Sequence, residues 1–482
     1  MKNVLFVLTD DQRYDCLGAF GNSDCITPNL DKLAESGTLF TQAHIPCGTA
    51  VAICMPSRAM LNTGRTLFHL KDEGQTIPDT HTLMGESFKN SGYEAFGTGK
   101  WHNGPPAFTR SFHKGDNAFF GGSWDHWNVP VCYYDPTGAY DNVVNFVMNF
   151  YGNDKVTKIH CDKFNPGVHS TELLTNTAIE YLNGRKGSDS PFFLYLAYLA
   201  PHDPRTMPER FMKMYDPEKI KLPGNIMGAH PFSFGIENAR DELLMPWPRE
   251  ENEIRRQLAA YYAMVSHLDY ELGRVIETLK SNGELDNTII VFTSDNGLAV
   301  GSHGLLGKQN VYDHSVRVPL IISGPGLPKG QRRDGYVYLH DIYPTLMELC
   351  GIEKPPSVEG ISFAGMFNDP KFHTRETLYF AYNDLIRCVK DSRFKLVEYR
   401  NYTKRQQTFD LIKNPTNKIP DITNVKRTQL FDLKNNPEET VDLSRNPQYA
   451  ADVKRLREVL MKYKTEWEDS GHKYSKAYWD AY

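Results

Sequence analysis

Short runs of unbroken apolar residues stand out along the chain, each ending abruptly in polar ones. Residues 4–8 read Val-Leu-Phe-Val-Leu and stop at Thr9, Asp10, Asp11 and Gln12. A run this short, rich in β-formers and apolar at every position, predicts a strand buried on both faces. Residues 93–98, 191–198, 288–293 and 318–322 also read as strands. Helical periodicity fills the gaps. The clearest case is residues 257–282, where Leu258, Tyr261, Tyr262, Val265, Leu268, Leu272, Val275, Ile276 and Leu279 line one face before Gly283. Shorter helices are predicted over 28–37, 82–90, 171–183 and 342–349. Buried strands alternating with helices predict an α/β sheet.

The pattern changes in three places. Residues 103–170 show little regular periodicity and predict a long loop or insertion. Within it, Trp124, His126 and Trp127 suit either a sugar subsite or a satellite hydrophobic cluster. Residues 205–250, rich in Pro, Met and charge, read as an irregular excursion. Residues 352–376 are punctuated by Pro, Gly and Asn, which places a domain boundary near 367 and divides the chain into 1–366 and 367–482. Beyond it, alternating segments at 377–382, 386–390, 394–399 and 429–432 predict a small antiparallel sheet, and residues 452–467 a closing amphipathic helix.

Composition narrows the classes. A chain of 482 residues has room for one large domain and a smaller one. A net charge of −5 gives no signal for a nucleic-acid partner, yet leaves room for a local basic cleft around an acidic substrate. No stretch approaches the ~20 apolar residues of a membrane span. The eight cysteines contain no Cys-x-x-Cys pair and no zinc-finger spacing, so they make no disulfide framework, though one or two bridges fit. The apolar run at residues 4–8 is too short for the core of a signal peptide. It predicts a cytoplasmic protein, or a periplasmic one if a signal has been removed.

Candidate chemistry gathers where the predicted strands end, and in open parallel sheets that edge is where ligands bind. Asp10 and Asp11 follow the first run, and Asp295 and Asn296 follow the run at 288–293. These hard oxygen donors argue for Ca2+ or Mg2+ rather than Zn2+. Lys100 and His102 lie two apart, so they point the same way if the extended conformation continues through them. His202 follows the run at 191–198. Residues 52–65 hold the densest combination. Pro56 suits the first turn of a helix that residues 57–61 continue and Gly64 ends. Cys54 then sits where free N–H groups and the dipole favour an anion, and Arg58 projects one turn away on the same face. Two readings stand: a sulfur nucleophile beside a guanidinium, or a small buried cysteine with an arginine neighbour.

Cys54-x-Pro56-Ser57-Arg58 followed by Leu61-x-Thr63-Gly64-Arg65 resembles the signature of the type I, formylglycine-dependent sulfatases, which marks that cysteine for oxidation. The chain is similar to the same family, in order, at Asp10-Asp11-Gln12, Thr27-Pro28-Asn29-Leu30-Asp31, Gly99-Lys100-Trp101-His102, Ala200-Pro201-His202-x-Pro204, Ser294-Asp295-Asn296-Gly297, Gly307-Lys308 and Arg317-Val318-Pro319-Leu320. The resemblance spans residues 3–445. It implies an alkaline-phosphatase-like mixed sheet flanked by helices, with a smaller C-terminal α+β domain containing a four-stranded antiparallel sheet. It implies one Ca2+, in preference to Mg2+, held by Asp10, Asp11, Asp295, Asn296 and the modified Cys54. It further implies that Arg58 steadies the formylglycine hydrate, that Lys100 and Lys308 hold sulfate oxygens, and that Asp295 serves as base. His202, assisted by Lys308, would protonate the departing oxygen, and His102 would deprotonate the remaining hydroxyl to release sulfate.

The implied partners are a formylglycine-generating maturation enzyme and a sulfated carbohydrate. Chain length, long loops and the aromatic segment favour a carbohydrate over a small ester, and overall likeness to bacterial polysaccharide sulfatases points to a glycosaminoglycan oligosaccharide, with a uronate 2-O-sulfate as the target. Two features depart from the family pattern: Cys47-Gly48-Thr49 close before the signature, and Ser302 where many relatives carry an acid. Both bear on the substrate pocket, for which His303 and His314 are further candidates. The alternatives are a phosphatase, phosphodiesterase or phosphonate hydrolase of the same superfamily, and a non-catalytic binder of sulfated glycans in which Cys54 stays a thiol.

Overall fold

A computed structural model describes residues 1–50, 52–147, 154–237, 239–400, 426–473 and 475–482. Its centre is an eight-stranded sheet in the order Gln331–Arg333, Thr38–Phe40, Leu320–Ser323, Thr288–Ser294, Asn3–Thr9, Phe192–Ala197, Glu94–Lys100, Lys114–Phe119. Leu320–Ser323 runs antiparallel to both its neighbours, while the other pairings are parallel. The fold is therefore the mixed α/β sheet expected.

The four strands from Thr288–Ser294 to Glu94–Lys100 are buried almost throughout, as the apolar runs in Asn3–Thr9, Phe192–Ala197 and Thr288–Ser294 require. Period two divides their side chains between two layers. Val4, Phe6 and Leu8 enter one hydrophobic cluster with the helices Cys54–Thr63 and Ile342–Cys350. Leu5 and Val7 enter another with the helices Pro28–Glu35, Ser170–Gly184 and Glu251–Ser281. At 1.5–3 kcal/mol per fully buried large apolar side chain, roughly, these two layers hold the sheet rigid.

Among the described residues the C-terminal sheet has the four antiparallel strands expected and one parallel strand more. Arg427–Asp432, Phe394–Tyr399, Ile386–Lys390 and Leu378–Tyr382 run antiparallel in that order, and Cys47–Gly48 adds a short parallel edge with Cys47 opposite Ala381. The unusual segment before the signature thus ties the layer of the helix Cys54–Thr63 to the C-terminal sheet. The long stretch 103–170 is also more regular than expected. It holds the helix Pro105–Ser111, the outer strand Lys114–Phe119 and the hairpin Val143–Val147 with Val156–His160. Edge strands with half-exposed polar residues carry no continuous apolar signal. None of the eight cysteines is in a disulfide. Among the described residues no helix is long and apolar enough to cross a membrane.

Candidate active site

Parallel strands bring their carboxyl ends to one edge, and the register sets the pairing there. Thr9 lies opposite Ser294, so Asp10 and Asp295 leave adjacent strands side by side. Backbone bonds fix them: Asp295 N donates to Thr9 O at 3.1 Å, and Asp10 N to Ala200 O at 3.1 Å. Asp11 takes a left-handed φ of 66°, and its carbonyl accepts from Tyr261 Oη at 2.6 Å. A non-glycine residue in that region is strained and must be held by its surroundings.

The signature helix spans Cys54–Thr63 and is buried almost entirely. Gly64 ends it with φ 65°, its N–H donating to Met60 O at 2.8 Å. A Cβ on Gly48 would stand 2.9 Å from Pro56 Cγ, so the strand beside the helix needs glycine for this close approach.

Around the first turn of this helix the expected residues converge. His102 Nδ1 lies 3.3 Å from Cys54 Sγ, and Lys100 Nζ 3.6 Å from it. The strand ends at Lys100 and His102 has φ 71°, so a sharp turn, not continued extension, aims the imidazole there. Arg58 donates through Nε to Asp295 Oδ2 at 2.7 Å and through Nη1 to Lys100 O at 2.6 Å, and its Nη2 has no protein partner. Lys100 pairs with Asp10 Oδ2, and Lys308 with Asp11 Oδ1. His202 Nε2 lies 3.6 Å from Asp11 Oδ2.

Burial sets the electrostatics. It pushes the Cys54 thiol up to about 11, against the pull of Lys100 and Lys308. Burial, aided by Lys100 and Arg58, keeps His102 neutral well below its usual range. Burial raises the Asp10 carboxyl to about 6, with Asp295 adding to the effect. Burial also acts upward on Asp295, but Arg58, Lys100 and Lys308 outweigh it and hold this carboxyl low.

The donors fit a hard divalent cation. Asp10, Cys54 and Asp295 offer ligand atoms within 4.8 Å of one another, as do Asp10, Asp11 and His202. Asp10 Oδ1 and Asn296 Oδ1 are buried without a protein partner, while Asn296 Nδ2 donates to Asp11 Oδ1 at 2.7 Å. Buried oxygens of this kind are costly unless something positive meets them.

Four further residues belong to the neighbourhood. Arg240 grips the Asp203 carboxylate, with Nη1 to Oδ1 at 2.6 Å, and His202 Nδ1 donates to Asp203 O at 2.8 Å. Asp241 accepts from Gln309 Nε2 at 2.9 Å, beside Lys308. Asp203 lies inside a motif visible in the sequence. Arg240 and Asp241 come from the irregular excursion, where no periodicity marks them.

The expected substrate contacts fare differently. His126 is buried with both ring nitrogens engaged, Nδ1 by Ser170 Oγ at 2.7 Å and Nε2 by His202 O at 2.9 Å. This corrects its assignment: it holds the His202 main chain and has no nitrogen left for a sugar. Trp124 packs edge-on against Phe146, with ring centres 4.6 Å apart, and Trp127 against His169 at 5.1 Å. His303 and His314 are buried in a ring stack with Tyr312, each keeping one nitrogen without a protein partner. Ser302 accepts from Arg13 Nη1 at 3.1 Å inside the fold.

The family model for Sulfatase matches residues 2–352, and that for the C-terminal region of N-sulphoglucosamine sulphohydrolase matches residues 301–425. An arylsulfatase of Clostridium perfringens is 27% identical over 99% of this chain and 98% of its own. Human iduronate 2-sulfatase is 29% identical over 75% of this chain and 71% of its own. Among solved structures, a protein in complex with its substrate D-glucosamine-2-N,6-O-disulfate superposes with a TM-score of 0.74 at 21% identity, covering 97% of this chain and 98% of that one. A phosphonate monoester hydrolase from Silicibacter pomeroyi superposes with a TM-score of 0.69 at 21% identity, over 97% and 96%. At such identities the two structures establish the shared fold, which both chemistries use.

Proposed function

Because the chain belongs to the sulfatase family, we propose that it hydrolyses a sulfate ester on a sulfated carbohydrate, with Cys54 as the precursor of formylglycine and a Ca2+ ion at the adjoining carboxylates. One observation carries this reading: Cys54 Sγ lies within 3.6 Å of both Lys100 Nζ and His102 Nδ1, at the start of the buried signature helix. The thiol itself, pushed up to about 11, is almost wholly protonated at neutral pH and makes a poor nucleophile.

Converted to formylglycine, position 54 would supply an oxygen nucleophile, and a cation held by Asp10, Asp11, Asp295 and Asn296 would draw charge from a sulfate oxygen. The other roles fall to this chain's own side chains. Lys100 and Lys308 put two buried positive charges beside the sulfate, where low dielectric strengthens them. His102, neutral and 3.3 Å from the reacting position, can take its proton. His202 delivers a proton to the departing sugar oxygen, with its ring oriented by the Asp203 carbonyl. Arg58 spans Asp295 and the Lys100 carbonyl, and its free Nη2 steadies the group at position 54.

For the substrate we favour a uronate 2-O-sulfate in a glycosaminoglycan oligosaccharide. The likeness to an iduronate 2-sulfatase over three-quarters of the chain supports it. A phosphonate or phosphate ester is the second reading, favoured by the fold shared with a phosphonate monoester hydrolase.

The test uses protein whose Cys54 peptide shows the mass of the aldehyde or its hydrate. Sulfate release is measured from disaccharides sulfated at defined positions, against matched phosphate and phosphonate esters. Fastest release from the 2-O-sulfated uronate is expected. Faster turnover of the phosphorus esters would overturn the sulfatase assignment, and faster release from another sugar position the uronate assignment. A thiol at position 54 in protein from its own host would overturn the precursor role.

A further inference from the structure

Away from the Cys54 site, two crossing helices bring three ligand-type side chains together. His267 and Glu271 stand four residues apart on the helix Glu251–Ser281, which puts them on one face one turn apart. Glu172, in the first turn of Ser170–Gly184, meets them from the neighbouring helix. One donor atom from each lies within 4.8 Å of the others.

The imidazole is what makes this more than an acidic cluster. His267 is 1% exposed, and its Nε2 has no hydrogen-bond partner. That nitrogen is aimed between the two carboxylates, 3.7 Å from Glu172 Oε1 and 3.9 Å from Glu271 Oε1. These separations are too long for a hydrogen bond. They come within a few tenths of an ångström of the roughly 3.4 Å that separates donor atoms around a tetrahedral ion with ligands at about 2.1 Å. A buried nitrogen left unmatched costs free energy, and an ion between these groups removes that cost.

The surroundings suit a metal. Glu271 presents Oε1 to the gap while Oε2 accepts from Arg274 Nη1 at 2.5 Å. Arg274 is itself anchored on Asn176 Oδ1 at 2.9 Å, which fixes the carboxylate's orientation. The His267 ring is clamped between Phe211 and His169, each with ring centres 4.7 Å away. The nearby guanidinium of Arg210 lies over the Phe211 and Tyr270 rings, at 4.7 and 4.6 Å. Burial, the larger cause, and Arg210 keep the imidazole unprotonated, as a ligand must be. Glu172 is partly exposed, which leaves an entry path and a solvent-facing coordination position.

We propose that Glu172, His267 and Glu271 form a metal site of their own, taking a transition-metal dication of the Zn2+ type. One imidazole nitrogen with two carboxylates matches that borderline ion better than Ca2+ or Mg2+. The two carboxylates neutralise its charge, and the ion pins the helix Ser170–Gly184 to Glu251–Ser281.

The experiment is equilibrium dialysis of the full chain against Zn2+ in calcium-containing buffer, with melting followed by circular dichroism. Wild type is compared with Glu172→Gln and His267→Gln. Wild type should hold one more equivalent of zinc than either variant, or bind it at least tenfold more tightly, and zinc should raise the melting temperature of wild type alone. Glu172 is partly exposed, so E172Q keeps the fold and decides the matter even if H267Q does not. Equal zinc content and an equal melting response in wild type and E172Q would overturn the site.

Discussion

Arg58 Nε donates to Asp295 Oδ2 at 2.7 Å, and both side chains are wholly excluded from solvent. The pair joins the signature helix to the strand end across 237 positions of sequence. Removing one member of such a pair strands the other as an uncompensated buried charge, at a cost of about 3–5 kcal/mol. Arg58→Gln should therefore lose stability of that order in urea denaturation as well as activity. Arg58→Lys keeps the charge but not the planar fork that reaches Asp295 and the Lys100 carbonyl together, so it should fall between. Unchanged stability in R58Q would remove the pair from the forces that hold the helix.

Just past this helix, Glu359 closes a clamp. Its carboxylate accepts from Thr66 N and Thr66 Oγ1, each at 2.8 Å, faces His69 Nδ1 at 2.8 Å, and pairs with Arg65 Nη2 at 2.7 Å. Burial acts to raise this carboxyl, but His69 and Thr66 outweigh it and bring it down to about 2. His69 is raised in turn, chiefly by its bond to Glu359. A depressed carboxyl contributes stability that is present above its unfolded value, about 4.3, and lost as pH falls toward the folded one. A raised imidazole contributes stability that is full below about 6.5 and lost as pH rises through its folded value. Glu359→Gln should thus destabilise most between roughly pH 4.5 and 6.5, by about 2 kcal/mol after allowance for partial exposure. The difference from wild type should shrink toward pH 2 and, less completely, above pH 7. A difference independent of pH would show that the clamp works through its neutral hydrogen bonds alone.

Gly64 ends the signature helix with φ 65°, and a Cβ there would stand 2.6 Å from Val358 Cγ1. Gly64→Ala combines a left-handed backbone with a clash, and should cost more than about 1 kcal/mol. The two causes can be separated by thermal melts of the double variant. Val358→Ala in the G64A background should recover the clash and leave the backbone term. No recovery would place the whole cost in the backbone.

Much of this site is legible in the sequence because it sits where apolar runs stop. Asp10, His202 and Asp295 follow strands of the central parallel group and Lys100 ends one, and parallel register alone brings those ends together. Cys54 and Arg58 follow from helix spacing. Other parts depend on contacts between distant segments. Arg240 reaches Asp203 from a stretch without periodicity, and Cys47 joins Ala381 in a sheet whose other strands lie more than three hundred residues away. Trp124, His126 and Trp127 suit a sugar subsite by residue type alone, but the fold buries His126 with both ring nitrogens engaged. Lys114–Phe119 carries no continuous apolar run, because an edge strand shows polar residues to solvent.

The burial of His126 leads to a prediction about catalysis. A carbonyl oxygen only accepts, so the 2.9 Å contact with His202 O puts the proton on Nε2, and Nδ1 then accepts from Ser170 Oγ at 2.7 Å. Burial brings the ring down to about 4, so it stays neutral and keeps this tautomer across the physiological range. In the mechanism proposed above, His126 would be a positioning residue: it holds the main chain of His202, the proton donor of that mechanism. Small displacements of a proton donor are costly, up to about a hundredfold per ångström. His126→Phe fills the space but gives no donor, and should lower kcat by roughly tenfold to a hundredfold with little change in KM. His126→Gln, which can still donate to the carbonyl, should recover part of the loss. Conversion of Cys54 should be equal in both variants by peptide mass, which separates a loss of positioning from a loss of maturation. Full kcat in H126F would mean that the bond to His202 O serves packing alone.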